Sequence, residues 1–160
     1  MMQIGGPFNN EIIHILNIIK GGFNMNESDG GRIFKLNLQL SMETLRAATP
    51  EIEALGLDPK EFFVLDGLEG QPYPAELARH LSMPKATITL HLKSFEDRGL
   101  MVRAIDSNDR RKHRLELTET GHDTILKARE ILSRRYTEQL RRLSHCEQSQ
   151  FLTLLEKICN

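Results

Sequence analysis

Three consecutive cations, Arg110, Arg111 and Lys112, end a polar stretch that begins at Asp106. Cationic side chains bind phosphate oxygens, and arginine at the end of a β-ribbon can also enter a narrow, electronegative minor groove of duplex DNA. Asp109 directly precedes the cations and can orient one arginine through a charge-assisted hydrogen bond. A solvated turn has a similar composition, but the elements on either side of this run favour contact with DNA.

A second candidate surface lies on a helix predicted from Lys85 to Arg98. Ile88, Leu92 and Phe95 recur at helical spacing and define its core side. The opposite side presents Lys85, Ala86, Thr87, Thr89, Leu90 and Lys93. Lysine can meet guanine acceptors or a phosphate, and threonine can hydrogen-bond to a base or offer its methyl group to thymine. We expect Lys93 and Arg103 to be phosphate neighbours, because phosphate contacts generally outnumber base contacts.

Short elements must hold these two surfaces in place. A helix from Ala75 to Leu81 and the helix from Lys85 are joined by a three-residue turn at 82–84, which predicts a helix-turn-helix unit. The second helix of such a unit fits the major groove. Gly99 is expected to end that helix in the left-handed conformation. Alternating residues over 100–105 and 113–117 predict a β-hairpin with the run of cations at its tip.

Two helices are predicted before this unit, the first from the helical spacing of Leu36, Leu40 and the Leu45/Ala48 region and the second from a cap. A first helix is expected from Ile33 to Leu55, with Pro50 kinking or ending the regular pattern nearby. Asp58 followed by Pro59 is a cap and first-turn signature, so a second helix should run to about Leu68.

Two further helices are predicted after the hairpin. Thr118 is a natural N-cap for a long helix from Glu119 to about Leu143, which would span about 37 Å at the helical rise per residue. Ser144 and Glu147 form a capping box for the last helix. The apolar stripes of these two helices include Leu132, Tyr136, Leu143, Phe151, Leu155 and Ile158.

The charge distribution is uneven although the net charge is −1. Residues 26–78 carry 4 basic and 10 acidic side chains, whereas residues 79–114 carry 9 basic and 4 acidic ones. Such segregation can attract a polyanion to one face of a nearly neutral protein. The chain has no tryptophan and only 6% aromatic residues, which argues against an aromatic platform for sugars or bases.

Other classes of site find little support in the sequence. Two cysteines are too few for a disulfide framework and fit a reducing, cytoplasmic setting. The longest apolar stretch, from Ile12 to Ile19, is too short to span a bilayer, and no signal peptide or membrane association is predicted. The six histidines form no metal-ligand spacing, and no phosphate loop or nucleophile–base pair is present. We therefore predict no metal, no cofactor and no enzymatic activity.

Several motifs together resemble the MarR family of winged helix-turn-helix transcriptional regulators, over roughly Ile33 to the C-terminus. They are Leu77-Ala78-Arg79-His80-Leu81, Ile88-Thr89, Phe95-Glu96-Asp97-Arg98-Gly99-Leu100, Asp106-Ser107-Asn108-Asp109-Arg110-Arg111 and Leu117-Thr118-Glu119-Thr120-Gly121. The resemblance implies a winged-helix dimer whose interface comes from the first helix and the last two. The residues of the last two helices that we expect in this interface are Leu132, Tyr136, Leu143, Phe151, Leu155 and Ile158. It also implies repressor-type binding to a palindromic operator, relieved by a small ligand, often a phenolic acid, or by oxidation.

The sequence departs from the family pattern at Leu90, where arginine is frequent, and one expected groove or phosphate contact is thereby lost. His91 stands where an apolar residue is common. Family members that sense peroxide carry a reactive cysteine near the first helix, and none lies between Ile33 and Leu55. Cys146 at the start of the last helix is therefore interpreted as a structural thiol, with a redox-sensing cysteine as the alternative.

These observations predict a mainly α fold with a small β-hairpin wing, that is, a winged helix-turn-helix with a helical dimerisation region. We expect a weakly structured extension over 1–31, a dimerisation region over 32–57 and 119–160, and a DNA-binding lobe over 58–118. The predicted partners are double-stranded DNA, a second copy of the chain and a small-molecule effector. The alternative is a winged-helix module that binds other proteins without DNA.

Overall fold

The computed structural model describes residues 29–106 and 113–159. The predicted contacts Asp109, Arg110, Arg111 and Lys112 lie outside these ranges, as do residues 1–28 of the predicted extension. Six helices and one hairpin follow each other in the described chain. They are α1 (Asp29–Ala54), α2 (Pro59–Gly67), α3 (Pro74–His80), α4 (Lys85–Asp97), β1 (Met101–Ile105), β2 (His113–Leu117), α5 (Glu119–Leu140) and α6 (His145–Cys159).

The hairpin is antiparallel, with Met101 opposite Leu117 and Ile105 opposite His113. A largely helical chain with one two-stranded sheet confirms the predicted fold class. No helix among residues 29–106 and 113–159 is long and apolar enough to cross a membrane.

Local capping chemistry starts three of the helices where the sequence predicts. The Asp58 side chain accepts a hydrogen bond from the Glu61 backbone N–H at 2.8 Å, and the Glu61 carboxylate accepts one from the Asp58 N–H at 3.1 Å. Thr118 caps α5 through the Gly121 N–H at 3.0 Å. At α6, the Ser144 N–H donates to Glu147 at 2.8 Å. Each contact satisfies a backbone donor that the first turn of a helix leaves unpaired.

The first helix begins earlier than predicted and ends one residue before its predicted limit at Leu55. Helix α1 begins at Asp29, so residues 29–31 are helical and do not belong to a weakly structured extension. A carboxylate in the first turn stabilises the helix dipole there, which offsets the weak propensity of Gly30 and Gly31. The helix also continues through Pro50 to Ala54, because Thr49 and Ile52 on either side of the proline are buried and hold this last turn on the core.

Helix α5 ends at Leu140, three residues before the predicted limit. The Leu143 N–H donates to the Leu140 carbonyl at 2.9 Å in a tight turn, and the Ser144 cap follows at once. Because the Ser144 cap starts α6 so soon after this turn, α5 does not continue to Leu143.

The core crosses the predicted domain limits. Ile52 of α1 and Ile125 and Ala128 of α5 are fully buried in the same cluster as Phe95 of α4. The first helix and the long helix therefore share one core with the helix-turn-helix unit, and that shared core sets the direction in which α4 points. The division into a lobe and a dimerisation region remains a prediction about roles.

Candidate nucleic-acid interface

A tight turn sets the angle between α3 and α4. Ser82 adopts a left-handed conformation with φ of 52°, and the Met83 N–H donates to the Ala78 carbonyl at 2.9 Å. Pro84 then occupies the N-cap position of α4, where its missing N–H costs nothing. The turn has four residues, 81–84, where three were predicted, because the first of the two helices ends at His80, and it leaves the first turn of α4 at the surface.

The two sides of α4 have opposite environments. Ile88, Leu92 and Phe95 are buried, which confirms the predicted core side of this helix. Thr87 is half-buried, and the other predicted contact residues on the helix are exposed: Lys85, Ala86, Thr89, Leu90 and Lys93. The side chain of Leu90 reaches 70% exposure. The structure thus groups these residues on one free face.

His91 does not belong to this free face. Its ring is stacked on Phe95, with 6.3 Å between centroids and 22° between planes. The half-buried position matches the expectation for a residue beside the recognition face. The exposed face of α4 therefore contains no histidine side chain.

Arg103 on β1 has an acidic partner that sequence reasoning missed. Its Nε donates to the Glu96 carboxylate at 3.2 Å, and both side chains are partly exposed. The neighbouring carboxylate reduces the positive potential that Arg103 offers to a phosphate. Its predicted role as a phosphate neighbour therefore depends on the guanidinium N–H groups that Glu96 does not use.

The wing is fixed to the start of α3 by one contact near its tip and one at the middle of β2. The Tyr73 hydroxyl donates to the carboxylate of Asp106, which is only 5% exposed, and this contact raises the pKa of Tyr73. The Leu115 N–H donates to the Pro72 carbonyl at 2.8 Å. These two contacts position the hairpin against the helix-turn-helix, and only the tip lies outside the described residues.

Comparisons with known proteins agree with this geometry. A sequence model described as the MarR family matches residues 57–113, which contain the helix-turn-helix and most of the wing. An HTH-type transcriptional repressor of Mycobacterium tuberculosis, Rv2887, is 29% identical over 131 residues, covering 81% of this chain and 91% of its own. YkoM of Bacillus subtilis, an uncharacterised HTH-type transcriptional regulator, is 30% identical over 104 residues, covering 64% of this chain and 68% of its own. The chain belongs to the MarR family.

Solved structures of relatives extend the comparison. The transcriptional repressor CouR bound to a 23-mer DNA duplex superposes with a TM-score of 0.60 at 27% identity, covering 84% of this chain and 94% of that one. The MarR-family protein Rv2887 in complex with p-aminosalicylic acid gives a TM-score of 0.64 at 27% identity, with coverages of 83% and 99%. The family predicted from the motifs is confirmed.

The predicted dimerisation residues of this MarR-family chain fall into two groups. Leu132 packs against the core cluster of its own chain, so at least part of its role is internal. The other five are half-buried or exposed: Tyr136, Leu143, Phe151, Leu155 and Ile158. Helix α6 has no buried residue at all, and Ile158 is 77% exposed.

Two of the cavities that flank α6 in this MarR-family chain are lined in part by predicted dimerisation residues. One of about 290 Å³ is lined by residues including Tyr136, Phe151 and Leu155. Another of about 380 Å³ lies where α1, α5 and α6 meet, with Leu36, Leu143 and Phe151 in its wall. Because α6 buries little of its apolar side against its own chain, that side remains available to a partner or a ligand.

Ion pairs that sequence reasoning missed join the long helix to the rest of the fold. Arg129 of α5 donates to Asp66 and Glu69, each at 2.6 Å, and His122 lies 3.3 Å from Glu69. The hydrogen bond from Arg129 lowers the pKa of Glu69. Further along α5, Arg134 and Arg135 both pair with Glu51 of α1 and lower the pKa of that carboxyl group.

Both cysteines are exposed. The structural-thiol interpretation of Cys146 has no packing to support it, and no group of three metal-ligating side chains occurs among the described residues.

Proposed function

We propose that this chain is a sequence-specific regulator of transcription that binds duplex DNA as a homodimer on a palindromic operator. The observation that carries the proposal is the free face of α4, which is held away from the core by Ile88, Leu92 and Phe95 and bears Lys85 and Lys93. Family membership and the DNA complex of the relative CouR support the same role. They do not favour the alternative of a protein-binding module without DNA.

The contacts divide between two grooves. Lys85, Ala86, Thr87, Thr89, Leu90 and Lys93 would face the major groove, and Arg103 would lie near a phosphate. Arg110, Arg111 and Lys112 at the wing tip would bind the minor groove, with Asp109 orienting an arginine. Two copies of α4 must lie about 34 Å apart to enter successive major grooves.

Repression relieved by a small molecule is the regulatory part of the proposal. The relative Rv2887 was crystallised with p-aminosalicylic acid. In this chain, the cavity between α1, α5 and α6 offers an apolar wall beside the surface that would join two copies. A ligand there would change DNA affinity only by binding one arrangement of the dimer more tightly than the other. We also propose a cytoplasmic location and no catalytic role, in keeping with relatives named as transcriptional regulators.

Selection of bound fragments from random duplex DNA tests the proposal and yields the operator. Affinity for the selected duplex is then measured over a series of salt concentrations. A steep loss of affinity with salt is expected, with a slope set by the number of phosphate contacts. A protein that binds no duplex at low ionic strength, or binds all duplexes equally, would overturn the proposal.

One substitution tests the contribution of the wing to operator affinity separately from that of α4. Arg111→Ala should weaken operator binding by about 1–3 kcal/mol while the dimer remains intact. The matched control is Lys157→Ala, which removes an exposed cation from α6. Equal operator affinity of the Arg111 variant and the parent protein would remove the wing from the mechanism.

A further inference from the structure

The free face of α4 has an apolar centre between two cations. Ala86, Thr89, Leu90 and Lys93 stand at spacings of three, four and seven residues and therefore share one face. Lys85 and Lys93 lie about 12 Å apart along the helix axis, at its start and near its third turn. Between them, Leu90 has the most exposed large apolar side chain of the described part of the helix-turn-helix and wing.

Few residues of this helix can read bases by hydrogen bonds. The sequence of α4 contains no Arg, Asn or Gln. The Ser94 hydroxyl is bonded to Glu61 at 3.4 Å, and His91 is stacked on Phe95. A bidentate contact to adenine is therefore not available from α4, and only its two lysines could make such a contact to guanine.

The hydroxyl group of Thr89 is also engaged. It donates to the Lys85 carbonyl of the same helix at 2.8 Å. Thr89 therefore brings a methyl group and an acceptor oxygen to the face, but no free donor. Together with the Ala86 methyl and the Leu90 isobutyl group, it forms what we call the apolar stripe (Ala86, Thr89 and Leu90).

We propose that the apolar stripe reads the C5-methyl groups of thymine in the major groove. Thymine is the only standard base of DNA that presents an apolar group there, and small apolar side chains are its usual contacts. Lys85 and Lys93 bind the flanking phosphates and hold the stripe against the bases. Each half-site then requires thymine opposite α4, and Leu90 determines that specificity. The inference rests on the proposed binding of duplex DNA.

Replacement of thymine by deoxyuridine tests the contact, because it removes one methyl group and leaves base pairing unchanged. The full-length protein is titrated with its selected operator, in which each half-site thymine is replaced in turn. At one or two thymines, we expect the Kd to rise about three- to ten-fold, the range for losing one or two buried methyl contacts.

Leu90→Ala should bind the thymine operator more weakly than the parent protein. It should also bind the thymine and deoxyuridine operators with equal affinity, because the side chain that contacts the C5-methyl group has been removed. Lys93→Ala should weaken both duplexes equally and reduce the salt dependence. The matched control is Leu126→Ala, which truncates a leucine of 59% exposure on α5 and should leave both affinities unchanged. Thermal unfolding verifies that each variant is folded.

Two negative results would lead to different conclusions about the inference and the proposed function. If deoxyuridine has no effect at any half-site thymine, or if Leu90→Ala keeps the full distinction, the inference is overturned and DNA binding stands. If the parent protein binds no duplex at low ionic strength, the proposed function fails, and the inference fails with it.

Discussion

Gly121 lies directly against the carbonyl group of Leu100, and a Cβ atom placed on Gly121 would be 2.0 Å from that oxygen. The same strand end is held by Thr118, whose N–H donates to the Leu100 carbonyl at 3.1 Å and whose hydroxyl donates to the Gly99 carbonyl at 2.7 Å. The motif Leu117-Thr118-x-x-Gly121 therefore joins the start of α5 to the entry of the wing. Thr118 makes the hydrogen bonds of this junction. Gly121 lets the backbone of α5 approach the Leu100 carbonyl because it has no side chain.

Gly121→Ala should destabilise the fold by about 1–3 kcal/mol or more, because the added methyl group meets backbone atoms that cannot rotate away. Urea unfolding measures the change. Gly70→Ala is the control, since a Cβ atom there has no neighbour within 4 Å. Equal midpoints for the Gly121 variant and the parent protein would contradict the close approach.

Most of the helix limits could be predicted because they depend on residues three or four positions apart. Asp58, Thr118 and Ser144 each cap a helix through a neighbour three residues along the chain. The start of α1 could not be predicted in this way. The Asp29 carboxylate in the first turn interacts favourably with the helix dipole, although Gly30 and Gly31 have a weak preference for helix.

In the candidate interface, too, only the features that depend on local residue spacing could be predicted. The free face of α4 follows from the spacing of Ile88, Leu92 and Phe95, so its residues could be named from the sequence. The pairs Arg103–Glu96, Tyr73–Asp106 and Arg129–Asp66 are separated by 7, 33 and 63 residues. Only the packed fold brings them together, and no local pattern marks them.

Glu96→Gln should raise the affinity for duplex DNA of any sequence by about two- to five-fold at low ionic strength, because it removes a negative charge beside Arg103. The gain should shrink as salt is added, since partly exposed charges are screened. Titrations at two salt concentrations measure it. Glu130→Gln on α5 is the control for loss of an exposed carboxylate elsewhere. Unchanged or weaker binding by the Glu96 variant would show that this carboxylate does not limit the positive surface.

Glu69 should make stability depend on pH through its contact with Arg129. The hydrogen bond from Arg129 holds the folded-state pKa of Glu69 below its ordinary value of 4.5. A carboxyl group of lowered pKa stabilises the fold fully above its ordinary pKa, and this contribution is lost as the pH falls through the lowered value. Glu69→Gln should therefore reduce the urea midpoint near neutral pH, and the deficit should shrink below about pH 4.5.

Urea unfolding at several pH values measures this deficit, with Glu156→Gln on α6 as the control for an exposed carboxylate. The effect is expected to be modest, because the Glu69 side chain is 36% exposed and solvent screens the pair. A deficit that is the same at all pH values would mean that the Glu69 charge does not stabilise the fold.

Ile158 provides the sharpest test of the proposed dimer. Its side chain is 77% exposed on the single chain, so Ile158→Asp leaves the core untouched. If the apolar side of α6 joins two copies, an unpaired charge introduced within it is desolvated and the dimer dissociates. Operator affinity should then fall as well, because one particle no longer engages both half-sites. Light scattering after size-exclusion chromatography measures the mass, and operator titration measures the binding.

Thr153→Asp introduces the same charge on the opposite side of α6, five residues before Ile158, and should leave both mass and affinity unchanged. This comparison separates a charge within an interface from a charge on any exposed helix, because both positions are solvent-accessible in the single chain. A folded Ile158→Asp protein that remains dimeric would remove this side of α6 from the interface. The second copy would then have to bind elsewhere, with α1 and α5 as the remaining surfaces that the family resemblance implies.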